Sequence, residues 1–134
     1  MADAVTSQTL FDGPRIAVMK FTNISDGTGE SAALKVDVST LSPSINGQAC
    51  TSVNIVKIYS ATHGMGVDVL WDATTDLICT TIPQNQFQTM DFNSFGGLIN
   101  NSGAGKTGDI RFSTYDASSG DRYTITLVMS KNYG

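Results

Sequence analysis

The chain has little of what catalytic and metal sites are usually built from. Its 134 residues include one histidine, His63, and two cysteines, Cys50 and Cys79. These are fewer ligands than a tetrahedral zinc site usually takes. No G-x-S-x-G sequence marks a nucleophile elbow, and no pattern sets a base and an orienting carboxylate beside a nucleophile. We therefore expect no enzyme activity, no catalytic residues, no cofactor and no metal.

Charge is scarce as well. Charged residues make up 15% of the chain and the net charge is -4, whereas an average domain carries about 25% charged residues. There is no basic stripe, so we expect no nucleic-acid partner. No apolar run approaches the roughly 18 residues of a membrane-spanning helix, so we expect no membrane partner. Met1–Leu10 is polar and lacks the features of a signal peptide, which predicts synthesis in a cytoplasm with both cysteines reduced.

What the sequence does have is an apolar–polar alternation with a period of two. It runs through Leu34–Val38, Val67–Trp71, Ile110–Phe112 and Tyr123–Met129. Strands that alternate in this way place one face in a core and the other in water or against a partner. Less regular runs, rich in β-branched and aromatic residues, indicate further strands. These runs are Arg15–Ile24, Thr51–Tyr59, Leu77–Ile82 and Gln86–Phe92.

Turn-forming residues separate these runs, and no segment supports a long amphipathic helix. The sequence therefore predicts an all-β fold: a single antiparallel β-sandwich, jelly-roll-like, with about eight short strands. A small barrel is the alternative. Residues 1–12 are interpreted as a polar N-terminal arm, and residues 13–134 as the single β-sandwich domain.

Two segments stand apart from the predicted strands. The polar arm ends in Leu10-Phe11, and Ser94–Gly108 is a long loop rich in Gly and Asn. Loops of this length in compact domains are usually functional or mobile. We predict that the two segments contact a partner. The candidate contact residues are Leu10, Phe11, Phe95, Leu98, Asn100, Asn101 and Lys106.

Two short motifs invite other interpretations. Gly105-Lys106-Thr107 looks like the end of a phosphate loop, but Asn100 stands at the first glycine position and a strand pattern follows where a helix is needed. Asp26, Thr28 and Glu30 are spaced like calcium ligands, but the distal bidentate carboxylate is missing. We interpret the first motif as part of the contact loop and the second as a plain turn.

Trp71 lies on the same face of its predicted strand as Val67 and Val69, so core packing is its expected role. A sugar-binding platform requires exposed aromatic rings on one face, which sequence does not reveal. A lectin-like function stays open, because jelly rolls often host one.

Three stretches of the chain carry a family resemblance. They are Gly66–Thr75 (GVDVLWDATT), Phe95–Asp109 (FGGLINNSGAGKTGD) and the closing strand Tyr123–Met129. Together they resemble small structural proteins of tailed bacteriophages. The resemblance implies a virion component, made in the host cytoplasm and assembled onto the particle, with no defined active site.

Within that class, the resemblance favours a capsid decoration or cement protein that binds and stabilises the head surface. Its implied partners are the major capsid protein and/or copies of itself, with a homotrimer favoured. A tail- or fibre-associated virion component is the alternative within the class. A carbohydrate-binding, lectin-like β-sandwich module is the alternative outside it.

Overall fold

The computed structural model describes residues 3–133, which form strands joined by loops and two 3-10 turns, Val38–Thr40 and Asn93–Phe95. None of the helical elements described is long and apolar enough to cross a membrane. The strands are β1 (Ala4–Asp12), β2 (Ile16–Asp26), β3 (Ala33–Val36), β4 (Cys50–His63), β5 (Gly66–Trp71), β6 (Leu77–Ile82), β7 (Phe87–Asp91), β8 (Ile110–Tyr115) and β9 (Ser119–Tyr133).

The strands form two antiparallel sheets. One has five strands in the order β1-β2-β9-β4-β7, and the other has four in the order β3-β8-β5-β6. The predicted all-β antiparallel sandwich is confirmed, and its jelly-roll detail stays a prediction. β2, β4 and β9 are longer than expected, at 11, 14 and 15 residues. The predicted run Thr51–Tyr59 covers most of β4, which continues to His63 and contains a β-bulge between Ile55 and Lys57.

The N-terminal segment belongs to the sandwich rather than to an arm outside it. Residues 4–12 form β1, which pairs with β2 from Ala4 opposite Ile24 to Asp12 opposite Ala17. The rest of the predicted arm described here is Asp3, and residues 1 and 2 lie outside the described residues. The sequence pattern did not predict this strand, because every residue from Ala4 to Phe11 is exposed. A strand with no buried face needs no apolar–polar alternation.

The core lies between the two sheets and is centred on packed aromatic rings. Phe112 contacts Phe21 and Tyr123 edge-to-face, at centroid distances of 5.4 and 5.9 Å. Trp71 is also fully buried, as predicted. Leu34 departs from the prediction: a register shift between Leu34 and Val36 turns its side chain outward.

A buried lysine holds one end of the sandwich together. The Lys131 side chain on β9 has no solvent exposure, and its ammonium group forms an ion pair with Asp12 at the end of β1. It also donates hydrogen bonds to the carbonyl oxygens of Gly13 (2.6 Å) and Ser42 (2.9 Å). Burial alone raises the pKa of Asp12, but hydrogen bonds from Lys131 and Ser42, together with the lysine charge, hold that pKa below its usual value. The stabilisation is therefore present at neutral pH and is lost as the pH falls through the lowered pKa.

We expect Asp12→Ala to lower the free energy of unfolding by about 3 kcal/mol, because it leaves a buried ammonium group without its counter-ion. The matched control is Asp91→Ala, which removes the more exposed partner of Lys57, 3.9 Å away. Its expected cost is below about 1 kcal/mol. Urea denaturation at pH 7 measures both values. Equal small losses would show that the Lys131 cluster does not stabilise the fold.

Candidate interaction surfaces

The long loop after β7 forms one wall of an apolar cleft. The backbone of Leu98 is bridged to Ile55 of β4: its N–H donates to the Ile55 oxygen (2.7 Å), and its own oxygen accepts from the Ile55 N–H (3.1 Å). This bridge holds the loop against the five-stranded sheet. The cleft has a volume of about 410 Å³. Its walls come from β5, β6 and the loop, and include Trp71, Leu77, Ile78, Phe95, Leu98 and Asn101.

The second half of the loop is fastened to the end of β5. The Asp72 carboxylate accepts hydrogen bonds from Thr107 Oγ1 (2.8 Å) and from Arg111 Nε (2.7 Å). The hydrogen bond from Arg111 is the largest cause of the lowered pKa of Asp72. The N–H of Thr74 donates to the oxygen of Ala104 (3.2 Å). This Gly-rich segment therefore has defined contacts, and Thr107 is held by a carboxylate rather than free to bind phosphate.

Gly108 is one of the glycines that let the loop pack closely against the sheet. Gly108 has φ +88°, and a Cβ atom there would lie 2.0 Å from the Thr51 oxygen. Gly103, in the same loop, has a similar φ of +85° but nothing within 4 Å of the same position. The two sites share the backbone conformation and differ in the space around it.

We expect Gly108→Ala to lower the free energy of unfolding by about 3 kcal/mol or more, because backbone strain and a clash with another strand add together. Gly103→Ala should cost only the roughly 1–2 kcal/mol of a left-handed alanine. Thermal unfolding followed by circular dichroism measures the difference. Indistinguishable variants would mean that the loop is not packed as described.

The candidate contact residues of the loop do not all lie at the cleft. Phe95, Leu98 and Asn101 meet at the cleft. Asn100 instead turns back on the loop, and its Oδ1 accepts from the hydroxyl of Ser102 (2.7 Å). Lys106 is exposed in the half fastened to β5.

Leu10 and Phe11 lie apart from the loop on β1, the opposite edge of the five-stranded sheet from β7. Their side chains are 55% and 56% exposed. Val5, on the same strand, is 48% exposed even though it lies opposite the fully buried Asn23. The four-stranded sheet therefore leaves β1 uncovered. The two predicted segments form two separate surfaces.

A third surface lies on the outer face of the five-stranded sheet, where sequence analysis placed no site. Phe87 on β7 is 90% exposed, and Tyr59 on the neighbouring β4 is also exposed. Phe87 pairs with Ala61 and Tyr59 with Thr89, so the two rings are diagonal neighbours. Thr124 and Thr126 of β9 complete a shallow depression of about 150 Å³ beside them. The sequence did contain one signal for this surface. In the predicted run, Phe87 stands at an odd-numbered position, whereas Met90 and Phe92 stand at even-numbered positions and so belong to the opposite face of the strand.

The remaining candidate groups are occupied or isolated. Glu30, the last acid of the calcium-like spacing, is turned inward, where its carboxylate pairs with Lys35 (2.5 Å) and accepts from Asn23 Nδ2 (2.8 Å) and Tyr123 Oη (2.5 Å). Within residues 3–133, no three His, Cys, Asp or Glu side chains converge in a way that could hold a metal ion. His63 is exposed at the end of β4.

The two cysteines are free thiols in different surroundings. Cys50 is buried, whereas Cys79 is half-buried at the cleft wall. Burial raises the pKa of Cys79 to about 12. Because the thiolate is the nucleophilic form, Cys79 contributes apolar surface to the cleft rather than reactivity at neutral pH.

Comparison with known proteins adds little beyond the fold class. No protein-family model matches the chain. No curated protein matches it either. Among solved structures, a point mutant of a family 29 carbohydrate-binding module is similar, with 10% sequence identity and a TM-score of 0.39 over 96% of this chain and 93% of that one. At this distance the likeness carries no functional argument.

Proposed function

We propose that the chain is a structural component of a tailed-phage particle, a capsid decoration protein that binds the head surface through protein–protein contacts. The partners are the major capsid protein and copies of this chain. The observation that carries the proposal is the cleft at the long loop, which is lined mostly by apolar side chains. A tail- or fibre-associated location would use the same kind of contact and is the alternative within the class.

Three features of the cleft support this role. It exposes apolar side chains around a concave centre: Phe95 is 65% exposed, and Ile78 and Ile99 are also exposed. A fully buried Trp71 forms its floor. An aromatic or aliphatic anchor from a partner fits such a pocket, and interface energies concentrate at anchors of this kind. Many weak copies of one contact are sufficient on a repetitive capsid surface.

The cleft also brings together two of the three stretches that carry the family resemblance. Gly66–Thr75 supplies Trp71 and the carboxylate that holds the loop, and Phe95–Asp109 supplies the loop itself. Residues far apart in sequence are thus joined in one surface. A shared interaction surface accounts for a resemblance that carries no catalytic motif.

The proposal predicts that this chain is present in many copies, relative to the major capsid protein, in purified particles of the phage whose genome encodes it. Quantitative mass spectrometry measures the ratio. Absence from the particles would overturn the proposal. Only a few copies per particle would indicate a location in the tail or neck rather than on the head surface.

A rebinding experiment tests the cleft directly: each purified variant is added to particles that lack the chain, and its binding is measured. Phe95→Asp should weaken rebinding at least about tenfold, because it sets a charge at the mouth of an apolar pocket. Phe87→Asp changes an even more exposed phenylalanine outside the cleft, and this variant should rebind as the unaltered chain does. Equal loss in both variants would assign binding to a different surface.

A second candidate, carbohydrate binding, is favoured by the outer-face surface. The apolar face of a sugar ring stacks on exposed aromatic side chains, and neighbouring hydroxyls supply directional hydrogen bonds. Tyr59 and Phe87 offer the rings, and Thr124 and Thr126 offer the hydroxyls. The solved carbohydrate-binding module named above is too dissimilar to strengthen this candidate.

If this second candidate holds, isothermal titration calorimetry should detect saturable binding of at least one soluble gluco-, galacto- or xylo-polysaccharide. Phe87→Ala should abolish the binding because stacking is lost, and Phe95→Ala should leave it unchanged. No binding across the panel, or loss through Phe95 alone, would eliminate the outer face as a sugar site.

A further inference from the structure

We infer that β1 is a homotypic pairing edge, through which two copies of this chain join their five-stranded sheets into one continuous antiparallel sheet. The inference deepens the proposed function by naming the surface at which copies meet, and it rests on that function only for its biological purpose. The pairing itself is a property of the isolated chain.

The first observation is the state of β1 as an edge. Within residues 3–133 no strand neighbours its outer side, and every residue from Ala4 to Phe11 is exposed. Natural edge strands are commonly kept short or protected by lysine and proline. β1 has nine residues and contains neither. It does carry one β-bulge, between Thr9 and Phe11, which leaves Ala4–Thr9 as its regular part.

The second observation is charge, which favours a second copy over another occupant. The stretch Ala4–Phe11 contains no charged residue. The acids at its two ends are satisfied within the chain: Asp12 pairs with Lys131, and Asp3 accepts hydrogen bonds from Asn23 and Ser25. Two copies can therefore meet without opposing or desolvating an unpaired charge, although each chain is acidic overall. A basic peptide would find no carboxylate on this strand to bind.

The third observation is the extent of the contact. Seven residues, Ala4–Leu10, paired antiparallel form about seven backbone hydrogen bonds, within the range of a typical interface. A twofold axis near Ser7 brings Val5 of one copy opposite Thr9 of the other, and Ala4 opposite Leu10. Exposed side chains of the two copies then become cross-strand neighbours on both faces of the joined sheet. Antiparallel pairing produces a closed twofold dimer rather than the trimer that the family resemblance favours.

Light scattering coupled to size exclusion, with the intact chain at concentrations up to about 100 µM, should detect a dimer in rapid exchange with monomer. Thr6→Lys should weaken the dimer at least tenfold, since it places a charge on the pairing edge. Thr89→Lys is the matched control: Thr89 is an exposed threonine on β7, the other edge of the same sheet. It should dimerise as the unaltered chain does.

A covalent readout fixes the geometry. Three single variants are made in a Cys79→Ser background: Thr6→Cys, Ser7→Cys and Gln8→Cys. In one of them the new cysteine lies at the twofold axis, opposite the same cysteine of the second copy. Opposed Cα atoms there are about 4.5–5.5 Å apart, a distance that permits a disulfide. That variant should form a covalent dimer on mild oxidation, and Thr89→Cys should not. A monomer at all concentrations, a trimer, or dimers equally weakened by both lysines would overturn the inference. These measurements use the isolated chain and need no particle. If they fail, the proposed function is unaffected. If the chain is absent from particles, the pairing is unaffected.

Discussion

The sandwich depends on the position of β9 between β2 and β4. Its inward side chains, from Tyr123 to Met129, supply the centre of the core, and Lys131 extends the same face to the end of β1. Both flanking strands take their hydrogen bonds from it over most of their length. Burial of these apolar side chains against the second sheet is the main stabilising contribution, and the Lys131 cluster adds a polar connection that locates the β1–β2 turn.

The unequal width of the two sheets accounts for where the surfaces lie. A five-stranded sheet facing a four-stranded one leaves one strand uncovered, and that strand is β1. At the opposite edge, the long loop bridges to β4 and closes toward β6, which leaves a cleft rather than a sealed core. The exposed apolar groups of β1 and of the cleft therefore follow from the architecture, because both lie where the second layer ends.

Sequence reasoning recovered the fold wherever a strand has one buried and one exposed face. Val67–Trp71 and Tyr123–Met129 alternated clearly and proved to be β5 and most of β9. It failed for β1, because a strand exposed on both faces leaves no period to detect. It also failed at Leu34, where a bulge reverses the parity that the pattern assumed.

The candidate surfaces were predictable to a smaller extent. Loop length and composition pointed to Phe95, Leu98 and Asn101, but not to Ile78 on β6, which meets them only through the packing of the two sheets. The outer-face pair of Tyr59 and Phe87 depends on the register between β4 and β7, and register is a property of paired strands that a single strand pattern does not contain.

The central place of β9 also has a consequence for how the chain acquires its structure during synthesis. β9 is synthesised after both of its partner strands, which lie far upstream, with Ile16 opposite Ser130. Until it emerges, β2 and β4 have no central neighbour, and the five-stranded sheet cannot form. The β1–β2 hairpin can form early, but the five-stranded sheet can close only once β9 has emerged, through contacts of very long sequence separation, which is a slow step. A nascent chain that stalls before β9 emerges would hold two long unpaired edges, on β2 and β4, that could pair with other chains.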